Sequence, residues 1–260
     1  MTGATLSHLD VAVEAARAAA RVAVDYWRTP LAITAKGYRD VVTEADFAAQ
    51  DAAVRVIQSR FPAAAILGEE NLTPAGEAET LWVIDPIDGT SNYSRHVPIY
   101  CVSVGVVQGE RPVAGAVYDP LRDYLFTAER GLGAQLNGSS IHVSQVNDLG
   151  EAILGVDWGR EPAVRARSLA WLGRLAAECR TVRAIGSAAL AMCYLAAGWI
   201  DLYFNFSLKP WDGAATQLII EEAGGRLTTP LGEAWDYTQP SVVASNGRLH
   251  AVLQSPGVNE

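Results

Sequence analysis

The chain has 260 residues, half of them hydrophobic and 19% charged. That composition excludes intrinsic disorder, and the length fits one large domain or two small ones sharing an interface. Twenty Lys and Arg stand against 29 Asp and Glu, a net charge of −9, so no overall field draws the protein to nucleic acid or to an anionic membrane, and an anionic ligand must be held locally.

The three cysteines, Cys101, Cys179 and Cys193, are widely spaced in apolar runs, which predicts reduced, buried thiols and a cytoplasmic home. Residues 1–10 carry neither the basic start nor the apolar stretch of a secretory signal. The uncharged run 184–200, interrupted by Gly186, Ser187 and Gly198, is at the short limit for a membrane span and predicts a buried helix followed by a turn.

In chain order, Leu6, Leu9, Val13, Ala16, Ala20 and Val24 recur at three- and four-residue steps, predicting a helix over 5–28 that Thr29-Pro30 stops. A short strand is expected at 31–35, and a second helix at 43–60, ended before Phe61-Pro62. Apolar runs of strand length follow at 64–67, 81–84, 99–107, 113–118 and 124–127. Asn137-Gly138 between 134–136 and 141–143 reads as a hairpin turn. Beyond Gly150 the texture alternates: strand 153–156, helix 163–177, strand 181–184, helix 187–197, strand 202–206, and helix 212–223 closed by Gly224-Gly225. The pattern predicts one α/β (α+β) fold, with a mixed part over 1–150 and a smaller α/β part over 151–260 that share a cleft.

Several familiar sites are absent from the sequence. There is no GxxxxGK[ST], no GxSxG and no HExxH, and His8, His96, His142 and His250 are scattered. Gly131-Leu132-Gly133 begins a dinucleotide-like pattern, but Leu136 stands where its third glycine belongs. What remains is acidic. The buried-strand pattern Leu81-Trp82-Val83-Ile84 runs into Asp85-Pro86-Ile87-Asp88-Gly89-Thr90. Pro86 is expected to end the ladder, placing Asp85 and Asp88 in the turn leaving the strand, with Gly89 and Thr90 opening a short helix or turn whose free N–H groups suit an anion.

Glu69-Glu70 follows a similar element; by itself the pair reads as a solvated loop. Asp212, after Pro210-Trp211, reads by itself as the N-cap carboxylate that begins a helix, and Thr43 with Asp46 has the spacing of a capping box. If the fold gathers Glu69, Asp85, Asp88 and Asp212, each pair about 4 Å apart repels by roughly 4 kcal/mol at an effective dielectric of 20. Several such pairs cost as much as a domain's whole stability, so the cluster requires cations. All-oxygen donors select a hard ion, Mg²⁺ before Zn²⁺, and Mg²⁺ beside an anion-binding turn is equipment for phosphate chemistry.

Gly68-Glu69-Glu70, the run from Trp82 through Asp85-Pro86-Ile87-Asp88-Gly89-Thr90 to Tyr93, Pro210-Trp211-Asp212-Gly213-Ala214-Ala215 and Glu222-Ala223-Gly224-Gly225 resemble the signature segments of the inositol monophosphatase family. The resemblance extends from the first helix to near Leu253. It implies a layered α/β/α/β/α sandwich, commonly a homodimer, that hydrolyses small phosphate monoesters with two or three Mg²⁺ ions and is often inhibited by lithium. By motif it implies Glu69, Asp85 and the Ile87 carbonyl on a first metal, and Asp85, Asp88 and Asp212 on a second. Glu69, Thr90 and Asp88 become the catalytic residues, the first two orienting a metal-activated water, with no covalent enzyme intermediate.

The resemblance further implies phosphate on the Gly89 and Thr90 amides, the organic half of the ester near Gly186, Ser187, Ala188 and Asn205, and support of the metal site by Asp46 and Lys36. Asn205 is a departure, standing where many inositol-selective members carry Glu. The charge is lost while hydrogen bonding is kept, which leaves histidinol phosphate, fructose 1,6-bisphosphate and adenosine 3′,5′-bisphosphate open as substrates. The expected partner is a small phosphorylated metabolite, with neither membrane nor direct nucleic-acid binding. The rival of another class is a non-catalytic role in a transcription complex, as some bacterial members have.

Overall fold

The three- and four-residue periodicity builds α1 (His8–Trp27), with the Ser7 hydroxyl accepting from Asp10 N while Asp10 reaches back to the Ser7 amide. The computed structural model describes residues 7–30, 32–38, 40–70, 73 and 78–254. Residues 5 and 6 of the expected first helix, and Leu31 of the expected strand 31–35, lie outside them. A hairpin of β1 (Ile33–Gly37) and β2 (Asp40–Thr43) precedes α2 (Glu44–Arg60). The sequence pattern does not predict β2, because its four residues run straight into the cap of α2.

Next come β3 (Ala65–Gly68), β4 (Thr80–Asp88), the short α3 (Thr90–Tyr93), β5 (Cys101–Gln108), β6 (Arg111–Asp119), β7 (Tyr124–Glu129), β8 (Ala134–Leu136) and β9 (Ser139–Ile141). The seven strands form one sheet in that order, parallel only between β3 and β4. Asn137 and Gly138 both have positive φ, 49° and 79°, as the expected two-residue turn requires. The period of two then sorts the side chains. Trp82, Ile84, Val102, Val104 and Val106 pack with α1 and α2 on one face. Val83, Cys101, Val107 and Val117 face the other way.

The remaining elements are β10 (Ile153–Val156), α4 (Pro162–Ala176), β11 (Thr181–Arg183), α5 (Ala188–Ala196), β12 (Leu202–Asn205), α6 (Pro210–Glu222), β13 (Arg226–Thr228) and β14 (Val242–Ser245). Their strands make a second sheet in the order β11-β10-β12-β14-β13. Tyr203, Val242 and Ala244 point to α5 and α6, whereas Leu202, Phe204 and Val243 point to Trp171 and Leu175 of α4. The layers are thus α1 with α2, the seven-stranded sheet, α5 with α6, the five-stranded sheet, and α4, which is the expected α/β/α/β/α sandwich.

The apolar run 184–200 is explained by this middle layer, where α5 is covered by a sheet on each side. Among the described residues no helix is long and apolar enough to cross a membrane. The three cysteines are free; Cys101 and Cys193 are buried, but Cys179 is only half-buried, correcting the expectation of three buried thiols.

One close approach sets the position of α6. Gly105 of β5 and Gly115 of β6 lie opposite each other. A Cβ on Gly105 would stand 2.7 Å from Ala214 Cβ, and one on Gly115 would stand 2.9 Å from Ala215 Cα. The missing side chains let α6 lie almost on the sheet backbone, and its first turn reaches the carboxyl end of β4.

Candidate active site

Parallel pairing of β3 with β4 sets Gly68 beside Ile84. Both strands therefore end on the same side, and the acids that follow them, Glu69-Glu70 and Asp85, emerge together. Glu69 N donates to Ile84 O at 3.2 Å. Gln50 of α2 clamps the Glu70 backbone on both sides, its Nε2 donating to Glu70 O at 2.9 Å and its Oε1 accepting from Glu70 N at 3.0 Å.

Asp85 and Asp88 do not lie in the turn that Pro86 predicts. The strand continues through Pro86 and Ile87 as a bulge, pairing Asp85 with Ser103 and Asp88 with Cys101. A bulge removes the need for a ladder donor at Pro86 and turns both carboxylates to one side of the sheet. Ser103, opposite Asp85, donates its hydroxyl to Trp211 O at 3.4 Å, tying the start of α6 to this point.

Ligand atoms of Asp85, Asp88 and Asp212 all lie within 4.8 Å of one another. A backbone amide holds one oxygen of each. Ile87 N donates to Asp85 Oδ1 (3.0 Å), Ala189 N to Asp88 Oδ2 (2.7 Å) and Lys209 N to Asp212 Oδ2 (2.7 Å). Asp212 is not the N-cap the sequence suggests: α6 opens two residues earlier, at Pro210, with Lys209 as its N-cap, and from the third helical position Asp212 reaches back to the Lys209 amide, so one residue serves both the helix and the cluster. Ser187, which caps α5, also donates its hydroxyl to Asp88 Oδ2.

Behind the cluster, Asp46 Oδ2 accepts from Thr43 N at 2.8 Å and from the Thr43 hydroxyl at 2.6 Å, completing the expected capping box. Thr90 Oγ1 stands 3.3 Å from Asp46 Oδ1 and 3.1 Å from Ile87 O. Lys36, on the β1–β2 hairpin, reaches Glu69 Oε1 at 3.4 Å and pairs more closely with Glu70. Gly89 takes φ +100°, and a Cβ there would stand 3.1 Å from both Gly186 O and Ile99 O, so only glycine turns the chain from β4 into α3.

Burial is the first cause of every carboxyl shift in the cluster. It lifts Asp85 well above the carboxylate range, reinforced by the charges of Glu69, Asp88 and Asp212. Burial and the charge of Asp88 do the same to Asp212, against the pull of the Lys209 amide. Asp88 is raised despite its bonds from Ser187, Ala189 and Ala188. Burial pushes Glu69 up to about 7 although Lys36 opposes it, and Asp46 up to about 6 against its Thr43 bonds. Burial disfavours the Lys36 charge, but Glu69 and Glu70 outweigh it and raise the Lys36 pKa.

At the cluster's spacing each like-charged pair costs roughly 3 to 4 kcal/mol at an effective dielectric of 20. A hard divalent cation is what these all-oxygen, mutually repelling and partly desolvated donors fit. One further buried oxygen, Glu70 Oε2, lacks a hydrogen-bond partner.

The structure brings Lys36, Asp46, Glu69, Asp85, Ile87, Asp88, Gly89, Thr90 and Asp212 together. The residues expected at the organic half of the ester all have hydrogen-bond partners within the chain. Gly186 N donates to Asp157 Oδ1 at 2.7 Å, while Ser187 and the Ala188 and Ala189 amides serve Asp88. Asn205 is buried, its Oδ1 accepting from Ser207 N at 2.9 Å and its Nδ2 donating to Tyr203 Oη at 3.2 Å. Ser103, Gln50 and Asp157 were not singled out by the sequence motifs. Asp157 had a signal, since an acid directly follows the apolar strand 153–156 as Asp85 follows 81–84. Its carboxyl is pushed by burial up to about 7, against the Gly186 bond.

A profile of the inositol monophosphatase family matches residues 6–256. The chain is 36% identical to inositol monophosphatase 3 of tomato (Solanum lycopersicum) over 254 residues, covering 95% of each. It is 39% identical to the Nus factor SuhB of Escherichia coli K12 over 246 residues, covering 93% of this chain and 92% of the relative. The fold superposes on the solved structure of an IMPase of Thermotoga maritima with a TM-score of 0.88 at 30% identity, covering 96% of each. With the carboxylate cluster where the signature segments predict it, this chain belongs to the inositol monophosphatase family and is a phosphatase of that kind.

Proposed function

We propose that the protein hydrolyses a small phosphate monoester, of the inositol 1-phosphate kind, to the alcohol and inorganic phosphate with Mg²⁺. The observation that carries this reading is the convergence of Asp85, Asp88 and Asp212, from two separate parts of the chain, within 4.8 Å beside Glu69. Asp85, Asp88 and Asp212 would hold one ion, and Glu69, Asp85 and the Ile87 carbonyl a second. Bound there, Mg²⁺ supplies charge neutralisation at the phosphate and a water acidic enough to attack phosphorus near neutral pH.

The chain's own groups do the rest. Glu69, held by Lys36, and the Thr90 hydroxyl, held between Asp46 and Ile87 O, orient the attacking water, and the Glu69 carboxylate receives its proton. Gly89 N and Thr90 N belong to the first turn of α3, whose amides have no acceptor within that helix, and they would hold the phosphate oxygens. Each carboxylate is fixed through one oxygen before substrate arrives, so little reorganisation is needed in the transition state. Asn205 supports a site that tolerates a second anionic group, because no carboxylate at this position repels one.

A purely non-catalytic role in a transcription complex, the rival reading, gives no reason to keep buried acids in mutual repulsion. The experiment is phosphate release from inositol 1-phosphate, histidinol phosphate, fructose 1,6-bisphosphate and adenosine 3′,5′-bisphosphate with Mg²⁺ and with excess EDTA. The expected result is Mg²⁺-dependent turnover of at least one ester. Turnover that persists in EDTA, or inertness towards the whole panel, contradicts the reading.

A further inference from the structure

Asp157 directly follows β10 of the five-stranded sheet, is 7% exposed, and has no place in the chemistry above. Both of its oxygens are spoken for. Oδ1 accepts from Gly186 N at 2.7 Å and Oδ2 from Tyr203 Oη at 3.1 Å, while Tyr203 Oη accepts from Asn205 Nδ2 at 3.2 Å. Parallel pairing of Gly155 with Tyr203 makes this reach possible, because it sets β10 and β12 ending side by side.

Gly186 begins the turn that caps α5, at φ +76°. On its far side Asn92 Nδ2 donates to Ile185 O and to Ile99 O, both at 3.0 Å, and a Cβ on Gly186 would strike Asn92 at 2.8 Å. The turn is therefore gripped by Asn92 of α3 on one side and by Asp157, just past β10, on the other. One residue later the Ser187 hydroxyl donates to Asp88 Oδ2, and Ala189 N bonds the same oxygen.

We propose that Asp157 is a positioning residue for the metal site. It fixes the Gly186–Ser187 turn that aims Asp88, and through Tyr203 it joins residue 205 to that ligand. The proposal rests on the reading of Asp88 as a metal ligand but not on turnover. A continuous polar path, Asn205 to Tyr203 to Asp157 to Gly186 to Ser187 to Asp88, crosses from the five-stranded to the seven-stranded sheet. Removing Asp157 leaves the Gly186 N–H without its buried acceptor and lets the turn shift.

The test is Mn²⁺ binding to the metal-free full-length chain, followed by electron paramagnetic resonance, with the thermal midpoint of each variant measured in EDTA. Asp157→Ala should weaken Mn²⁺ binding about tenfold, the scale of losing a group that orients a ligand. Asp157→Asn keeps an oxygen for Gly186 N and should recover most of that loss. Tyr203→Phe should weaken Mn²⁺ less than Asp157→Ala does, and should make a further Asn205→Ala change silent.

Equal weakening by Asp157→Ala and Asp157→Asn would mean that charge and not position matters, overturning the proposal. So would a lowered midpoint with unaltered Mn²⁺ affinity, the mark of a merely structural residue. If Asp157→Ala fails to fold, Tyr203→Phe decides alone, and unchanged Mn²⁺ affinity in it overturns the proposal. Wild-type protein that binds Mn²⁺ yet hydrolyses no ester sinks the proposed function instead and leaves this inference standing.

Discussion

Asp88 is under three constraints at once: the hydrogen bond from the Ser187 hydroxyl to its Oδ2, the hydrogen bond from the Ala189 amide to the same oxygen, and the like charge of Asp85 and Asp212. Asp88→Asn keeps an acceptor for the first two and relieves the third. In EDTA its thermal midpoint is expected to equal or exceed that of the wild type while phosphate release is abolished; unaltered turnover in this variant would contradict the ligand assignment. At residue 205, a Glu would return a carboxylate beside Tyr203. Asn205→Glu is expected to raise kcat/KM for polyol or amino-alcohol esters relative to bisphosphates by about 1 to 3 kcal/mol of discrimination. A uniform shift across the panel would show that residue 205 does not read the ester. Asp85 and Asp88 were legible in the sequence because they follow a buried-strand pattern and sit near each other, whereas Glu69, which by itself reads as part of a solvated loop, was singled out only by the family resemblance. Asp157 follows such a strand alone, and a single acid carries no spacing to notice. The engagement of Asn205 with Ser207 and Tyr203 depends on side-chain contacts that no spacing encodes.

At the scale of elements, the helices and most strands were readable from period and punctuation, since Pro, Gly and caps fall at their ends. The end of β4 was not. Pro86 normally stops a ladder, and only the bulge opposite Ser103 and Cys101 lets the strand run to Asp88. Strands β13 and β14 also escaped, being three and four residues long beyond the Gly224-Gly225 break. Gly105 and Gly115 read as ordinary strand glycines, yet they set how closely α6 lies on the sheet. Gly115→Ala places a methyl against Ala215 backbone and is expected to cost about 1 to 3 kcal/mol. That lowers the thermal midpoint by about 2 to 4 °C per kcal/mol. Because α6 carries Asp212, the Mg²⁺ concentration giving half-maximal turnover should rise as well. A destabilised variant with an unchanged Mg²⁺ requirement would separate α6 from the site and contradict this account.

For the molecule as a whole, element order predicted the fold class, and the family resemblance supplied the layered sandwich. Which faces meet was decided by the alternation of side chains along β4, β5 and β12, read only once the strands were paired. The gathered acids make stability depend on pH. Asp46 at about 6, and Glu69 and Asp157 at about 7, all lie above the ordinary carboxylate value near 4. Between about pH 4 and 7 the folded metal-free protein thus binds more protons than the unfolded chain, and its stability falls as pH rises through that window. Unfolding in EDTA should show a lower midpoint at pH 8 than at pH 5.5, and Mg²⁺ should raise the midpoint more at pH 8; a flat or rising profile in EDTA would contradict it. The central claim is that acids from two separate parts of the chain form one cation site. Anomalous diffraction from crystals soaked in Mn²⁺ tests it most directly. The account predicts a Mn²⁺ peak bounded by Asp85, Asp88 and Asp212, and a well-diffracting soaked crystal with no peak there, or with Mn²⁺ bound only elsewhere, would contradict it.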